Sequence, residues 1–485
     1  MFKKGKLGGL EGGQYRPLTD SDVQSVHEAV VRITSEIGIK VANQRAFELF
    51  KGKGLETDEE KQLVFIPQAF LEDCIDAPPS ELILHGRGNP DNNIIVGGKR
   101  VHYGSGGTAL NVLDLETGEK RLSTLEDVQN VSKLLDYLDH AHFQVIPVYP
   151  NDLPTEKVDI NRFFAAINNT NKHVQGGVYT VQGTKEVVEM CSMIAGSLEN
   201  LQKEPFISFI TCVISPLEID QTYGDLLMTC AESGIPVSIP AEPLTGATGP
   251  VTIAGNVANL CAETLAGVCL AQLVNWGAPV LMACTSTSTD LRTMAYASGS
   301  VEEGLINACA AQMAQFYGLP YYGTAGQSDS KILDAQAGYE GALTNLLVGM
   351  AGANFIHDAL GLLEFCMTAS YEKYVMDNEI LGAVMRVLKG VRVSDATLAV
   401  DVTAEVGPGG NYIQEDHTFE HMRDEHFVPT VADRQPRENW EASGKKDTWT
   451  RCHEIALDVL ANHEPIPVEE EIVEAIRAKF PNFVQ

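Results

Sequence analysis

The chain has 485 residues, of which 44% are hydrophobic and 21% charged, so it can bury a large core and is neither disordered nor fibrous. Acidic residues outnumber basic ones by 65 to 35, giving a formal charge of −30, and the basic clusters are confined to residues 3–6 and 445–446. Since phosphate binding needs a local surplus of Lys and Arg, this charge excludes nucleic acid and anionic membranes as partners. A cationic or zwitterionic substrate would be attracted.

The cysteine pattern and the absence of an export signal predict a cytoplasmic protein. None of the ten cysteines forms a C-x-x-C pair, and most lie in apolar segments, which is typical of free thiols in a reducing compartment. Residues 1–17 are basic but contain no apolar stretch, so they do not form a signal peptide. Residues 251–276 are the most apolar segment, but Asn256, Asn259 and Glu263 interrupt it, and we expect a buried core helix.

The first 98 residues are predicted to form an N-terminal lobe with helical and β elements. Thr19 and Asp22 have capping-box spacing, and apolar residues then recur at helical period, which predicts a helix over residues 19–38. Shorter elements follow until a stretch rich in Gly, Asn and Pro at residues 86–98. That stretch is taken as the boundary of the lobe.

Eight short apolar runs, each followed by a helical pattern, predict an α/β fold of the (β/α)8 TIM-barrel type over residues 99–390. A doubly wound open sheet is the alternative, but residues 104–109 lack its G-x-G-x-x-G fingerprint. The predicted strands are residues 101–106, 143–148, 173–179, 206–213, 236–242, 279–286, 319–325 and 353–358.

Residues 391–485 are predicted to form a C-terminal helical lobe, with amphipathic helices near 448–462 and 467–479. This tail contains His417, Glu420 and His421, which spell the H-x-x-E-H motif of one class of zinc peptidases. That motif requires a peptidase domain and a third ligand. We therefore expect no metal, and a zinc hydrolase is kept only as an alternative.

Several long segments resemble the trimethylamine:corrinoid methyltransferase superfamily, from the first predicted strand into the tail. Members of one branch carry pyrrolysine inside the segment that matches residues 326–334, and this chain has only ordinary residues there. It therefore resembles the branch without pyrrolysine, and most closely the glycine betaine:corrinoid methyltransferases. The matching segments are residues 103–114, 240–258, 288–300, 321–340, 352–364 and 407–426.

The resemblance implies an enzyme that transfers a methyl group from glycine betaine to the Co(I) of a partner corrinoid protein and releases dimethylglycine. The leaving group of a quaternary amine is a neutral tertiary amine, so the reaction needs positioning and desolvation rather than an acid. The D-x-H-x-x-G motif of corrinoid carriers is absent from the chain. We therefore expect the chain itself to bind no cofactor, to receive its corrinoid on a separate protein and to form a homo-oligomer.

Site residues are expected at the C-terminal ends of the barrel strands. Aromatic faces and a carboxylate both favour a quaternary ammonium, and the residues expected around it are Tyr103, Tyr179, Glu242, Tyr322 and Phe355. A substrate carboxylate is expected to bind Gln327, Lys331 and His357, with Arg292 as a further donor.

Two alternatives to glycine betaine demethylation stay open. The first is the same reaction on another quaternary amine such as proline betaine, carnitine or butyrobetaine, because a cage recognises the ammonium and few polar groups recognise the remainder. The second is a barrel that binds betaines without catalysing methyl transfer.

Overall fold

A computed structural model describes residues 7–485 of the chain. The basic residues at positions 3–6, and with them much of the segment tested for a signal peptide, lie outside the described residues.

Eight parallel strands pair in chain order and form a barrel, as predicted. Seven of the pairings are ladders, and the eighth strand pairs with the first. A parallel bridge from Gly104 to Phe143 joins the first strand to the second and completes the circle. A Cβ atom at position 104 would lie 2.2 Å from the Phe143 ring, so only glycine fits this closure. The strands are Arg100–Tyr103, Phe143–Val145, His173–Gly177, Ile207–Ile210, Val237–Ala241, Val280–Cys284, Tyr321–Thr324 and Phe355–His357.

A helix follows each barrel strand, and the eight helices pack around the outside of the barrel. The first begins at a capping box formed by Thr124 and Asp127. The fifth is long and apolar enough to cross a membrane, but every residue from 256 to 272 is buried in the protein, so it is a core helix. The helices are Leu125–Tyr137, Thr155–Asn168, Val181–Ala195, Gln221–Ser233, Ile253–Val274, Val301–Tyr317, Ala335–Ala351 and Tyr371–Leu388, and the third is followed by a short helix, Leu198–Lys203.

The N-terminal lobe closes the end of the barrel opposite the C-terminal strand ends. Its first helix has the predicted capping box of Thr19 and Asp22. The last two strands of the lobe form a hairpin whose apolar side chains pack on Phe143 and Phe355 inside the barrel. The strands are Leu10–Glu11, Ile39–Val41, Glu56–Asp58, Leu63–Phe65, Glu81–Leu84 and Ile94–Gly97, and the helical segments are Asp20–Arg32, Ile33–Ile37, Gln44–Gly52, Gln68–Asp76 and Pro90–Asn92.

Short strands inserted after the barrel strands build up the C-terminal mouth. One small sheet joins residues that follow the first and eighth barrel strands, and a hairpin follows the sixth. The inserted strands are Asn111–Leu113, Lys120–Leu122, Leu362–Leu363 and Thr368–Ser370 in the sheet, Ser288–Asp290 and Ala295–Ala297 in the hairpin, and Glu218–Ile219, which pairs with the N-terminal lobe.

The residues after 390 are helical, as expected, and one of their helices packs on the eighth barrel helix. The predicted amphipathic helices are present as Thr448–Asn462 and Glu470–Lys479. The remaining helices are Asp395–Leu398, Val400–Val406, Asp416–Glu425 and Arg437–Ala442. The boundaries of the three lobes stay a prediction.

A buried ion pair fixes the loop after the seventh strand to the eighth helix. Lys373 and Asp377 are both fully buried, and the Lys373 ammonium donates to an Asp377 carboxylate oxygen at 2.6 Å and to the Gly326 carbonyl at 3.0 Å. The same carboxylate accepts the Gly361 N–H at 2.8 Å. Breaking such a pair leaves one charge buried without compensation.

We expect Lys373→Met to lower the free energy of unfolding by about 3–5 kcal/mol, because it leaves the Asp377 carboxylate buried without a counter-charge. The double variant Lys373→Met/Asp377→Leu should recover most of the loss, since it removes both charges. Urea denaturation followed by circular dichroism measures both. A single variant as stable as the wild type would contradict this role.

Candidate functional site

Three acidic side chains meet at the C-terminal mouth of the barrel. Glu242 follows the fifth strand, Asp358 follows the eighth, and Glu303 lies in the first turn of the sixth helix. Each of the three acts electrostatically on the same neighbouring phenol, that of Tyr296 in the mouth hairpin, and raises its pKa. The three carboxyl groups therefore share one local environment.

Asp358 is held by a network from three directions. Its backbone is left-handed, with φ of 59°, and one carboxylate oxygen accepts the Gly107 N–H at 3.1 Å. The other oxygen accepts the Gln327 amide and lies 2.9 Å from His357 Nε2. A Cβ atom at position 106 would lie 2.2 Å from the carboxylate, which explains the second glycine of the predicted first-strand loop.

Glu242 is exposed to solvent at the mouth, and protein groups surround its carboxyl closely enough to desolvate it in part. Desolvation raises the pKa of its carboxyl to about 7, the nearby Asp358 charge adds to this, and a hydrogen bond from Tyr296 opposes it. The group therefore changes charge near neutral pH.

Glu303 is fully buried, and neither of its carboxylate oxygens has a hydrogen-bond partner. Burial raises its pKa well above the usual range, and the charges of Asp358 and Asp329 raise it further. A buried polar group without a partner is costly, and such groups in native proteins are commonly functional.

No basic side chain neutralises this cluster. Within residues 7–485, no Lys or Arg nitrogen lies within 4.0 Å of a carboxylate oxygen of Glu242, Glu303 or Asp358, and the one ion-pair partner is His357. Like charges held together in a partly desolvated cavity favour a cation as ligand. The arrangement can bind an organic cation.

A strained turn brings Cys366 to the cluster. Glu364, Phe365 and Cys366 are consecutive left-handed residues, with φ between 52° and 67°, a conformation that costs roughly 1–2 kcal/mol per residue. The Cys366 thiol donates to Gln327 Oε1 at 2.7 Å. Burial raises the pKa of this thiol, and the charges of Asp358 and Glu303 raise it further.

Five of the eight residues predicted to bind substrate lie at or directly below the mouth. Glu242 and Gln327 belong to the acidic cluster, and the His357 ring stacks on Tyr322 at 4.1 Å. Tyr322 is also stacked on Phe355 at 5.7 Å, and Phe355 stacks on Phe143 at 3.4 Å, so Phe355 is a packed interior residue one layer deeper. These rings form a floor, not the open cage that the sequence predicts.

The other three predicted residues are not part of this group. Tyr103 faces outward, because its hydroxyl donates to the Asn345 carbonyl of the seventh helix at 2.9 Å. Lys331 is exposed, bonds the Asp329 carbonyl at 2.8 Å and lies over the Phe365 ring. Tyr179 is at the mouth, but its hydroxyl accepts a hydrogen bond from Arg162 at 2.5 Å, so its immediate partner is already a cation.

Arg292 is also exposed, and it pairs with Asp290 at 2.8 Å. Sequence reasoning missed Glu303, Tyr296 and Cys366. Tyr296 lies in a segment that carried the family resemblance, but only the fold shows which of its side chains face the mouth.

The H-x-x-E-H motif lies on an exposed helix far along the tail. The rings of His417 and His421 are 4.5 Å apart, and His417 Nε2 contacts the Ala396 carbonyl at 3.1 Å. In the described part of the chain, no group of three or more His, Cys, Asp or Glu side chains is placed to hold a metal ion.

Sequence comparison matches residues 10–482 to the family described as trimethylamine methyltransferase (MTTB). A trimethylamine methyltransferase MttB of Desulfitobacterium hafniense is 38% identical over 469 residues, covering 97% of this chain and 94% of that protein. A glycine betaine methyltransferase of the same species is 33% identical over 466 residues, covering 96% of each chain. A trimethylamine methyltransferase MttB of Methanosarcina thermophila is 33% identical, covering 97% of this chain and 98% of that one.

The crystal structure of the Methanosarcina barkeri monomethylamine methyltransferase (MtmB) has a similar fold. It matches with a TM-score of 0.51 at 12% identity, covering 95% of this chain and 96% of that one. The predicted barrel fold is thereby confirmed.

We expect the affinity for tetramethylammonium to rise about tenfold between pH 6 and pH 8. The pKa of Glu242 is raised to about 7, so its carboxyl is neutral below that pH and charged above it, whereas the probe keeps its charge throughout. Isothermal titration calorimetry measures the affinity, and binding near pH 7 should release protons to the buffer.

Glu242→Gln should flatten this profile. Asp290→Asn is the control and should keep the slope, because hydrogen bonding by Arg292 lowers the pKa of Asp290 to about 2. An unchanged slope in Glu242→Gln would contradict the assignment.

Proposed function

The chain belongs to the trimethylamine methyltransferase (MTTB) family, and from this premise we propose that it moves a methyl group from glycine betaine to the Co(I) of a corrinoid protein. It is a corrinoid-dependent methyltransferase, in agreement with the expectation from sequence. The observation that carries the substrate class is the acidic cluster of Glu242, Glu303 and Asp358, which no Lys or Arg of residues 7–485 neutralises within 4.0 Å.

Residues at the mouth hold the methyl donor in place and exclude water from it. The three carboxyl groups stabilise the methylammonium, and the stacked rings of His357, Tyr322 and Phe355 close the cavity below it. The corrinoid protein supplies the nucleophilic cobalt as a second substrate. The carbon–nitrogen bond breaks with its electron pair remaining on nitrogen, and the methyl carbon bonds to the cobalt nucleophile of the partner. The product is dimethylglycine with a neutral tertiary amine and its carboxylate intact, so the departure of a quaternary donor needs no proton.

Glycine betaine is favoured over trimethylamine for a chemical reason. A tertiary amine gives a neutral leaving group only while its nitrogen carries a proton or another electrophile, which the site has to keep in place during the transfer. A quaternary amine needs neither, and the segment at residues 326–334 contains no unusual electrophile. Proline betaine, carnitine and butyrobetaine satisfy the same argument and are the second candidates.

The proposal also includes a separate corrinoid partner, a homo-oligomer and a cytoplasmic location. All ten cysteines are free thiols. Unpaired thiols are typical of a reducing compartment, where Co(I) also survives best.

The proposal is tested by mixing the protein with its reduced corrinoid protein and one methylated amine at a time. Glycine betaine should abolish the Co(I) absorbance and yield one dimethylglycine per methyl group transferred. Binding of glycine betaine without loss of Co(I) would support the non-catalytic alternative, and turnover of trimethylamine alone would contradict the proposed substrate.

We expect Glu303→Gln to lower kcat/KM for glycine betaine by about 100-fold, because the variant loses the carboxyl group whose charged form a neighbouring ammonium would stabilise, while the shape of the side chain is kept. Glu302→Gln is the matched control, since Glu302 is the exposed neighbour on the same helix turn. Equal rates in both variants would contradict a role for Glu303.

A further inference from the structure

A second buried charge, of opposite sign, lies at the same mouth. Arg162 is on the second barrel helix and has no exposed surface. Its guanidinium reaches across the end of the second strand, because it donates to Thr108 Oγ1 at 3.0 Å and to the Tyr179 hydroxyl at 2.5 Å. Thr108 follows the first strand and Tyr179 the third, so the charge lies at the C-terminal edge of the barrel.

The guanidinium has no carboxylate partner. Within residues 7–485 no acidic oxygen lies within 4.0 Å of it, and its Nε has no hydrogen-bond partner. Asp159 acts on it only at longer range, since the Asp159 oxygens accept the N–H groups of Tyr179 and Thr180 and the Thr180 hydroxyl. A buried charge without a paired counter-ion costs several kcal/mol, and a ligand anion would remove that cost.

The hydrogen-bond directions make this group a donor site. Both hydroxyl oxygens accept from Arg162, so both hydroxyl hydrogens point away from it and are free to donate. Thr108 and Tyr179 are half-buried, which leaves these hydrogens accessible from the mouth. Thr108 is left-handed, with φ of 71°, a strained conformation for a β-branched residue that is typical of functional positions.

The positive and acidic groups both lie at the C-terminal mouth and share neighbouring residues. Glu242 and Tyr179 both act electrostatically on Tyr223, and Glu242 also acts on Cys212, which follows the fourth strand. Cys212 and Tyr223 therefore bridge the two groups, and both are half-buried.

We propose that Arg162, Tyr179 and Thr108 form an anion subsite that binds the carboxylate of the methylammonium substrate, while the acidic cluster binds its ammonium. The inference rests on the proposed function and names the residues that select a zwitterion. Tyr179 thus contacts the opposite end of the substrate from the one that the sequence predicts, and the subsite replaces Lys331 and Arg292, whose side chains are exposed.

Equilibrium binding to the full-length protein tests the subsite without any corrinoid. Calorimetry compares glycine betaine with tetramethylammonium, which has the same cationic end and no carboxylate. Tyr179→Phe should weaken glycine betaine about tenfold and Arg162→Gln about 100-fold, while tetramethylammonium changes less than twofold. Tyr149→Phe is the matched control, because its ring contacts Tyr179 edge-on at 5.4 Å and it should leave both affinities unchanged.

Equal weakening of both ligands, or no weakening of glycine betaine, would overturn the subsite. If Arg162→Gln does not fold, the double variant Tyr179→Phe/Thr108→Val is measured with the same two ligands. It should weaken the binding of glycine betaine and leave that of tetramethylammonium unchanged. Selective loss of glycine betaine binding supports the subsite even where no methyl group reaches cobalt, in which case only the proposed function fails. Methyl transfer with unchanged selectivity in the variants overturns the subsite and leaves the proposed function standing.

Discussion

Ionisable groups without a paired counter-charge organise the mouth of this barrel. Glu303 has no hydrogen-bond partner, Glu242 titrates near neutral pH, and Arg162 lies behind two hydroxyl groups with no carboxylate beside it. The burial of Glu303 and Arg162 costs stability in the free protein. The barrel, closed below by the N-terminal hairpin and tied by the Lys373–Asp377 pair, supplies the rigidity that holds these groups apart. In the proposed function, a zwitterionic methylammonium compensates these groups together.

Much of the fold was predictable because strand and helix periodicity are local properties of the sequence. All eight barrel strands, the helices that follow them and the capping box at Thr19 are where the pattern places them. The glycines after the first strand were visible as a motif. Glycine is needed there because Phe143 and Asp358, from distant parts of the chain, approach the backbone closely, and only the three-dimensional structure shows this.

The site was less predictable, because strand ends give the position of a residue but not the direction of its side chain. Tyr103 faces a helix and Lys331 faces solvent, whereas Glu242 and Gln327 face the mouth. Glu303 and Arg162 lie on helices, where an isolated charged residue resembles any solvated one. Both residues are buried without a paired counter-charge, and a single sequence does not show this.

The most direct test of the account is a crystal structure with arsenobetaine, in which arsenic replaces the quaternary nitrogen of glycine betaine. Anomalous scattering then locates the cationic atom without assumptions about its surroundings. The account predicts an arsenic peak among Glu242, Glu303 and Asp358, with the carboxylate directed at Tyr179 and Thr108. An arsenic atom bound outside the mouth, or with its carboxylate toward the acidic cluster, would contradict it.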